Sequence, residues 1–190
     1  MGILIMLVLL FAAIGLISLF ITIYNGLIRV SRNIEKAWAN IDVILKQRHD
    51  EIPKLIKICE QFTQYERGTL EKVISLRTAA MAATSVSAKA DKEGELTKAL
   101  GGIWAVGEAY PELKSNTNIM QLQTRISGLE SELADRRELY NDSVNIYNIR
   151  IHQFPDMMVA GMMGMTTDKD MFKVSEEEKA DVDMTLNLPK

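Results

Sequence analysis

The sequence predicts an all-α protein in which an N-terminal transmembrane helix continues into an elongated antiparallel four-helix bundle. A long apolar run, Ile3–Ile23, opens the chain. After it, apolar residues recur at steps of three and four, which is the spacing of one helix face. The chain has four prolines, and it lacks the apolar–polar alternation that is typical of half-buried strands.

The opening run has the length and composition of a membrane span. Ile3–Ile23 contains no Asp, Glu, Lys or Arg, and as a helix it would be about 30 Å long, which matches the hydrocarbon core of a bilayer. A cleaved signal peptide, the alternative, would be shorter and would begin with basic residues. We therefore predict a retained single-pass anchor over residues 1–24. Tyr24 is expected at the membrane interface, where an aromatic ring is buried and its hydroxyl is hydrated.

The charges that flank the anchor bear on its orientation. Arg29, Arg32 and Lys36 follow it, and no basic side chain precedes it. Because cytoplasmic flanks are enriched in Lys and Arg, this asymmetry favours a cytoplasmic position for the rest of the chain, in the cell membrane.

The composition argues against several functional classes. The net charge of −3 gives no sign of nucleic-acid binding. With the single cysteine Cys59 and the two histidines His49 and His152, a thiolate metal cluster or an intrachain disulfide is excluded. No nucleophile–base pair, phosphate-binding loop or cofactor fingerprint is present. We expect no catalytic residue, no bound cofactor and no metal site, and therefore no enzymatic activity.

The first helical stripe continues directly from the anchor. Its apolar positions are Leu27, Val30, Ile34, Ala37, Trp38, Ile41, Ile44 and Leu45. Pro53 would remove a hydrogen bond from a helix interior, whereas it is tolerated in a first turn. With Asp50 as the N-cap, the sequence predicts a turn near Arg48–Asp50 and a second helix from about Glu51. A single helix that continues through Pro53 with a kink is the alternative.

Two more helices are predicted before residue 111. The apolar stripe of the second consists of Leu55, Cys59, Phe62, Glu66, Thr69, Leu70, Val73, Leu76 and Ala80. Small and polar residues then predict a linker near Ser85–Gly94. A third helix, Glu95–Tyr110, would end at Pro111. Its inward positions would be Leu96, Leu100, Ile103, Trp104 and Gly107.

The longest helical pattern begins at the cluster Ser115–Asn118, whose side chains favour a helix start. Its seam consists of Ile119, Leu122, Ile126, Leu129, Leu133, Arg136, Tyr140, Val144, Tyr147, Ile151 and Phe154. Pro155 would stop it. Arg136 is the one charge on this seam, so it should pair with an acidic or carbonyl group or make a contact between subunits. An ordinary solvated face, with Glu130 and Glu132 about one turn earlier, is the other alternative.

A methionine-rich segment, Met157–Met165, follows the long helix. Packing on the end of the bundle, lying on the membrane interface, meeting another subunit and binding Cu(I) are the alternatives. Gly161 and Gly164 argue against a long helix there. The candidate self-association residues are Arg136, Met157, Met158, Met162, Met163 and Met165. From Thr166 the chain is acidic, and we expect residues 166–190 to form a mobile tail or an interaction tail.

Several stretches resemble the LemA family of membrane-anchored helical proteins. They are Tyr24–Ile56, with tyrosine-asparagine after the anchor and a proline after Asp-x-Ile; Ala109–Gln123, with Tyr-Pro-x-Leu-Lys; and Arg136–Met165, with Phe-Pro. The resemblance implies a four-helix domain, here residues 25–165, on an N-terminal transmembrane segment. It also implies a scaffold or membrane-organising role without established enzymatic activity. The family includes a magnetosome-membrane member. Some relatives carry a lipoprotein signal, which implies a domain outside the cytoplasm and leaves the membrane side open.

The leading functional hypothesis is a membrane-bound scaffold that self-assembles and organises or shapes the membrane. Its partners would be the lipid bilayer and further copies of the same chain, with no nucleic acid. The alternative is a monomeric or small-oligomer adaptor that binds another membrane or signalling protein through the acidic tail.

Overall fold

The computed structural model describes residues 1–62 and 67–173, and every regular element in those ranges is a helix. The helices are α1 (Gly2–Phe62), α2 (Arg67–Ala82), α3 (Val86–Ala109), α4 (Pro111–Lys114), α5 (Thr117–His152) and α6 (Asp156–Met162). The predicted all-α fold with a long apolar N-terminal helix is confirmed.

Helix α1 is continuous over 61 residues and contains Pro53 in its interior. The predicted turn at Arg48–Asp50 is therefore wrong, and the alternative of one helix through the proline is correct. Pro53 has no N–H to donate to the carbonyl of His49, four residues earlier. The Nε of Arg77, on α2, donates to that carbonyl at 2.8 Å instead. Arg77 of α2 thus replaces the hydrogen-bond donor that the His49 carbonyl lacks because residue 53 is a proline.

Helix α3 begins nine residues earlier than the sequence predicted, at Val86, so the predicted linker Ser85–Gly94 is wrong. Ser85 accepts a hydrogen bond from the N–H of Ala88 at 3.2 Å and caps the helix. Ala90 and Glu93 are buried on the same side of α3 as Leu96. The polar composition of this stretch suggested a linker. The stretch is nevertheless helical, because the buried polar residue Glu93 stabilises it together with the buried apolar residues.

The start and the seam of α5 agree with the prediction. Asn116 caps the helix, because its side-chain oxygen accepts from the N–H groups of Asn118, at 2.9 Å, and Ile119, at 3.3 Å. The buried seam residues are Ile119, Ile126, Leu129, Leu133, Tyr140, Val144, Tyr147 and Ile151. Phe154 is an exception: α5 ends at His152, and the Phe154 side chain beyond it is 78% exposed.

The chain divides into two compact units. The first comprises Met1–Leu45 and Glu130–Met171. Within it, Trp38 contacts Tyr140 with ring centroids 5.4 Å apart, and the guanidinium of Arg150 lies against Gly26. The later residue of α1, Trp38, contacts the earlier residue of α5, Tyr140, and the earlier residue of α1, Gly26, contacts the later residue of α5, Arg150. The two helices therefore run antiparallel in this unit.

The second unit comprises Lys46–Leu129 and the described residues from Phe172. The end of α1, α2, α3 and the first part of α5 contribute its core. Its buried residues are Ile52, Leu55, Ile56, Cys59, Leu70, Val73, Leu96, Ala99, Leu100, Ile103, Ile119 and Ile126. Of the other predicted core positions, Glu66 lies outside the described residues, and for Phe62 and Gly107 the structure describes the helix but not the burial.

The first residues of the predicted tail lie on α5. Asn148 forms two hydrogen bonds with the backbone of Lys169, at 3.0 and 2.9 Å, and the Tyr140 hydroxyl donates to the carbonyl of Asp170 at 3.0 Å. Phe172 is 1% exposed. The chain therefore stays attached well past Thr166, because α5 satisfies its backbone polar groups. The acidic residues from 174 onward lie outside the described part of the chain.

Candidate functional site

The end of the apolar anchor meets the start of α6 through one guanidinium group. Nε of Arg150 donates to Oδ2 of Asp156 at 2.5 Å. Both terminal nitrogens of Arg150 lie 2.7 Å from where a Cβ at Gly26 would be. Because glycine has no Cβ, the guanidinium can lie directly on α1 at this point. The contact ties the first residue of α6 to α1 just beyond the apolar run.

Helix α6 divides the predicted methionine set. Asp156, Val159 and Ala160 face inward and are buried. The outward side chains are apolar, with exposed fractions of 49% for Met157, 63% for Met158 and 78% for Met162. Met163 and Met165 are half-buried around Gly164, which has a positive φ of 71° and ends the segment in a turn. The three exposed methionines can contact lipid or protein. Met163 and Met165 offer less surface for such a contact because they are half-buried.

Arg136 lies on a half-exposed part of α5. Its Nη2 is 3.2 Å from Oε1 of Glu132, one turn earlier on the same helix. The charge thus pairs with an acidic side chain on the exposed surface of its own helix, as on an ordinary solvated face. A contact with another subunit stays a prediction.

The surface of α1 changes character at Ile23. Residues 1–22 are exposed along their whole length, and Ile23 is the first buried residue. Tyr24 is 41% exposed and stacks on Phe20 with ring centroids 6.4 Å apart. In the described part of the chain, one helix is long and apolar enough to cross a membrane, and it is this one.

A buried charge cluster joins α1 to α3. Arg48 and Glu93 are both fully buried, with Nη1 and Oε2 3.2 Å apart. Nη2 of Arg48 also donates to the Thr97 hydroxyl at 2.6 Å. Nε2 of His49 lies 2.8 Å from the other Glu93 oxygen. Sequence analysis missed this cluster because it placed Glu93 in a linker. The three-residue steps from Ala90 to Glu93 and then to Leu96 were the signal that could have found it.

Glu51 forms a second ionic contact in the same unit. Its carboxylate, 7% exposed, pairs with Lys54 at 2.9 Å and with Arg125 on α5 at 2.7 Å. The Lys54 hydrogen bond, together with the positive charge of Arg125, lowers the pKa of Glu51 below 4.5 against the opposing effect of burial. Like the Arg48–Glu93 pair, this carboxylate links helices.

The remaining metal-ligating residue types are dispersed. His152 pairs with Asp168, Nε2 to Oδ1, at 2.8 Å, whereas His49 faces Glu93. No group of three His, Cys, Asp or Glu side chains in residues 1–62 and 67–173 is arranged to hold a metal ion. Cys59 is 2% exposed, and burial raises the pKa of its thiol to about 11, so it is an unreactive core residue.

An open groove of about 460 Å³ lies between α2 and α3. Its lining residues are Gly68, Thr69, Lys72, Leu76, Glu95, Lys98, Ala99 and Gly102. Glu95 already pairs with Lys92 at 2.6 Å. The lining has no imidazole or thiol.

Comparison with known proteins identifies the family. The model of the LemA family matches residues 37–185. This chain belongs to the LemA family. The LemA match begins at Ala37, within α1 and beyond the apolar anchor, and it includes parts of both units of the fold.

Three relatives place this LemA-family chain among curated proteins. Protein LemA of Metamycoplasma hominis is 25% identical over 172 residues, which cover 88% of this chain and 78% of the relative. Magnetosome protein MamQ 2 of Paramagnetospirillum magneticum is 23% identical over 179 residues, 80% of this chain. The match spans 66% of MamQ 2, slightly less than two thirds of that protein. Magnetosome protein MamQ of Magnetospirillum gryphiswaldense is 32% identical over 63 residues, 33% of this chain and 23% of that protein.

Proposed function

We propose that this protein is a non-enzymatic, single-pass membrane scaffold that self-associates in the plane of the membrane and organises it. The observation that carries the proposal is the continuity of α1, which runs unbroken from Gly2 to Phe62. No loop separates the apolar anchor from the helical domain. Such an arrangement holds the domain at a fixed orientation to the bilayer, which suits a structural element better than a freely tethered module.

An exposed apolar strip on α5 supports self-association. Leu139, Ile146 and Ile149 are 54%, 49% and 51% exposed and follow one another at steps of seven and three, on the side of α5 away from its buried seam, with the exposed Asp142 between the first two. Arg136, half-exposed and one turn before Leu139, extends the strip with a charge. Copies inserted in one membrane meet at a raised local concentration, so even a small apolar contact is favoured.

The charged groups and the relatives agree with a structural role. The most buried acidic and basic side chains of the described residues, Arg48, Glu93 and Glu51, pair with one another or with neighbouring helices. Two of the relatives are named magnetosome proteins.

The mass of the full-length protein in mild detergent tests the proposal. Light scattering with the detergent contribution subtracted should give a multiple of 21.4 kDa. Leu139→Lys combined with Ile146→Lys should reduce the mass to one chain, because two charges cannot be buried unpaired in the contact. Val43→Lys is the matched control, since Val43 is 56% exposed on α1 in the same unit; it should leave the mass unchanged.

A 21.4 kDa particle for the wild type, with no cross-linking between copies in native membranes, would contradict self-association. The adaptor alternative would then be favoured. Removal of residues 174–190, which leaves the contacts of Lys169 and Asp170 in place, should in that case abolish partner recovery.

A further inference from the structure

We propose that the segment Phe154–Met162 lies in the lipid–water boundary of the same membrane that α1 spans, so that the protein has a second, lateral contact with the bilayer. The inference rests on the membrane anchoring in the proposed function and adds a lipid-contacting surface to it. Two independent observations support the inference. One is the apolar surface of the segment, and the other is its height along the axis of α1 relative to the end of the apolar run.

The surface of the segment is apolar and uncharged. Residues 153–167 contain one ionisable side chain, Asp156, and this carboxylate is buried against Arg150. The outward positions are Phe154, Met157, Met158 and Met162, which are 49–78% exposed. Four neighbouring large apolar side chains without a charge among them are unfavourable in water. A short helix with this surface is stable in the headgroup–acyl boundary.

The level of the segment follows from Arg150. Gly26 lies three residues beyond Ile23, the end of the apolar run, which is about 4.5 Å along the helix axis. The guanidinium of Arg150 rests on Gly26 and also holds Asp156, the first residue of α6. Each headgroup layer is about 5–7 Å thick. The start of α6 therefore lies within that layer when Ile3–Ile23 fills the hydrocarbon core.

The same measure separates this surface from Leu139, the first residue of the strip on α5. Leu139 precedes Arg150 by eleven residues, about 16 Å along α5, and α5 runs antiparallel to α1, as the Trp38–Tyr140 contact shows. Leu139 is thus beyond the headgroup layer, whereas Phe154–Met162 is within it, and Ile149, one residue before Arg150, lies at the level of the segment. The exposed methionines are assigned to lipid and Leu139 to protein.

Spin labels on the full-length protein test the assignment in vesicles of phosphatidylcholine and phosphatidylglycerol. The labelled variants are Met158→Cys, Val43→Cys as the matched exposed position outside the α5 contact, and Ile14→Cys within the anchor. Wild-type protein carried through labelling is the blank, because Cys59 is buried. Collision with oxygen reports lipid, and collision with a water-soluble nickel complex reports solvent. The nickel accessibility at position 158 should be several-fold lower than at position 43, with oxygen accessibility correspondingly higher.

Three results would overturn the inference, and they are distinguishable. Equal nickel accessibility at positions 158 and 43, with position 14 in lipid, would place α6 in water while the anchor stands. Spin–spin broadening at position 158 that disappears on dilution with unlabelled protein, together with low oxygen accessibility, would make a second copy the occupant. Nickel accessibility at position 14 as high as at 43 would remove the anchor itself, and with it the proposed function. A Phe154→Cys label should repeat the result for position 158.

Discussion

Arg77 supplies the hydrogen bond that Pro53 denies to helix α1. The proline lacks the N–H that would bond to the His49 carbonyl, and the Nε of Arg77 donates to that carbonyl at 2.8 Å. A proline in a helix interior costs about 3 kcal/mol. A charged donor on α2 offsets part of this cost and at the same time fixes α2 to the middle of α1.

Arg77→Met should therefore lower the free energy of unfolding by about 1.5–3 kcal/mol, the range for hydrogen bonds to charged groups. In a Pro53→Ala background the cost should be smaller, because the restored N–H of residue 53 occupies the His49 carbonyl. Denaturation of the four proteins in detergent, followed by circular dichroism, measures the coupling. If the changes in the free energy of unfolding caused by the two substitutions are strictly additive, Arg77 Nε and the N–H of residue 53 do not compete for the His49 carbonyl.

Glu93→Leu should destabilise the second unit by about 3–5 kcal/mol, because it leaves the buried Arg48 guanidinium without its carboxylate. Arg48→Met combined with Glu93→Leu should recover most of this loss, since no charge is then left unpaired. The neighbouring pair of Lys92 and Glu95 on α3 is the control: it is exposed, and Lys92→Ala should change stability by less than about 0.5 kcal/mol. A Glu93→Leu protein that unfolds like wild type would mean that Arg48 finds another partner.

The features that the sequence predicted well depend on local signals. The start of α5 follows from Asn116, whose side chain caps two N–H groups of its own first turn. The α5 seam from Ile119 to Ile151 follows from periodicity, because burial of one face repeats every three or four residues. The anchor follows from length and the absence of charge.

The features that it missed depend on distant partners. Continuity at Pro53 rests on Arg77, which is 24 positions away, and the early start of α3 rests on Arg48, which meets Glu93 across 45 positions. Nothing within a helical period of Pro53 indicates the Arg77 contact, and the three-residue steps around Glu93 indicate a helix face but not its partner Arg48. The methionine segment was found as a candidate surface, but its level relative to the anchor required the Gly26–Arg150 contact, which composition does not encode.

Glu51 should make stability depend on pH in the acid range. Its folded pKa lies below 4.5, so between that pKa and 4.5 the unfolded chain binds more protons than the folded protein. The contribution of the ionised carboxylate is fully present above pH 4.5 and is lost as the pH falls through the folded pKa. Denaturation at a series of pH values should show a shallower acid decline for Glu51→Gln than for wild type. Glu95→Gln, in an exposed pair, should retain the wild-type slope; a wild-type slope in Glu51→Gln would assign the acid decline to other carboxylates.

Gly26→Ala should destabilise the first unit, although alanine is the better helix former. The new Cβ would lie 2.7 Å from both terminal nitrogens of Arg150, and the guanidinium cannot retreat freely because it holds the buried Asp156. The expected cost is about 1–3 kcal/mol, the range for overpacking. Gly101→Ala on α3 is the control, since a Cβ there meets open space; it should stabilise the protein by about 0.5–1 kcal/mol.

In an Arg150→Lys background the cost of Gly26→Ala should largely disappear, because the ammonium is narrower than the guanidinium fork. Thermal unfolding of the full-length variants in detergent measures each step, and a stabilising Gly26→Ala would show that Arg150 can leave α1 without losing Asp156.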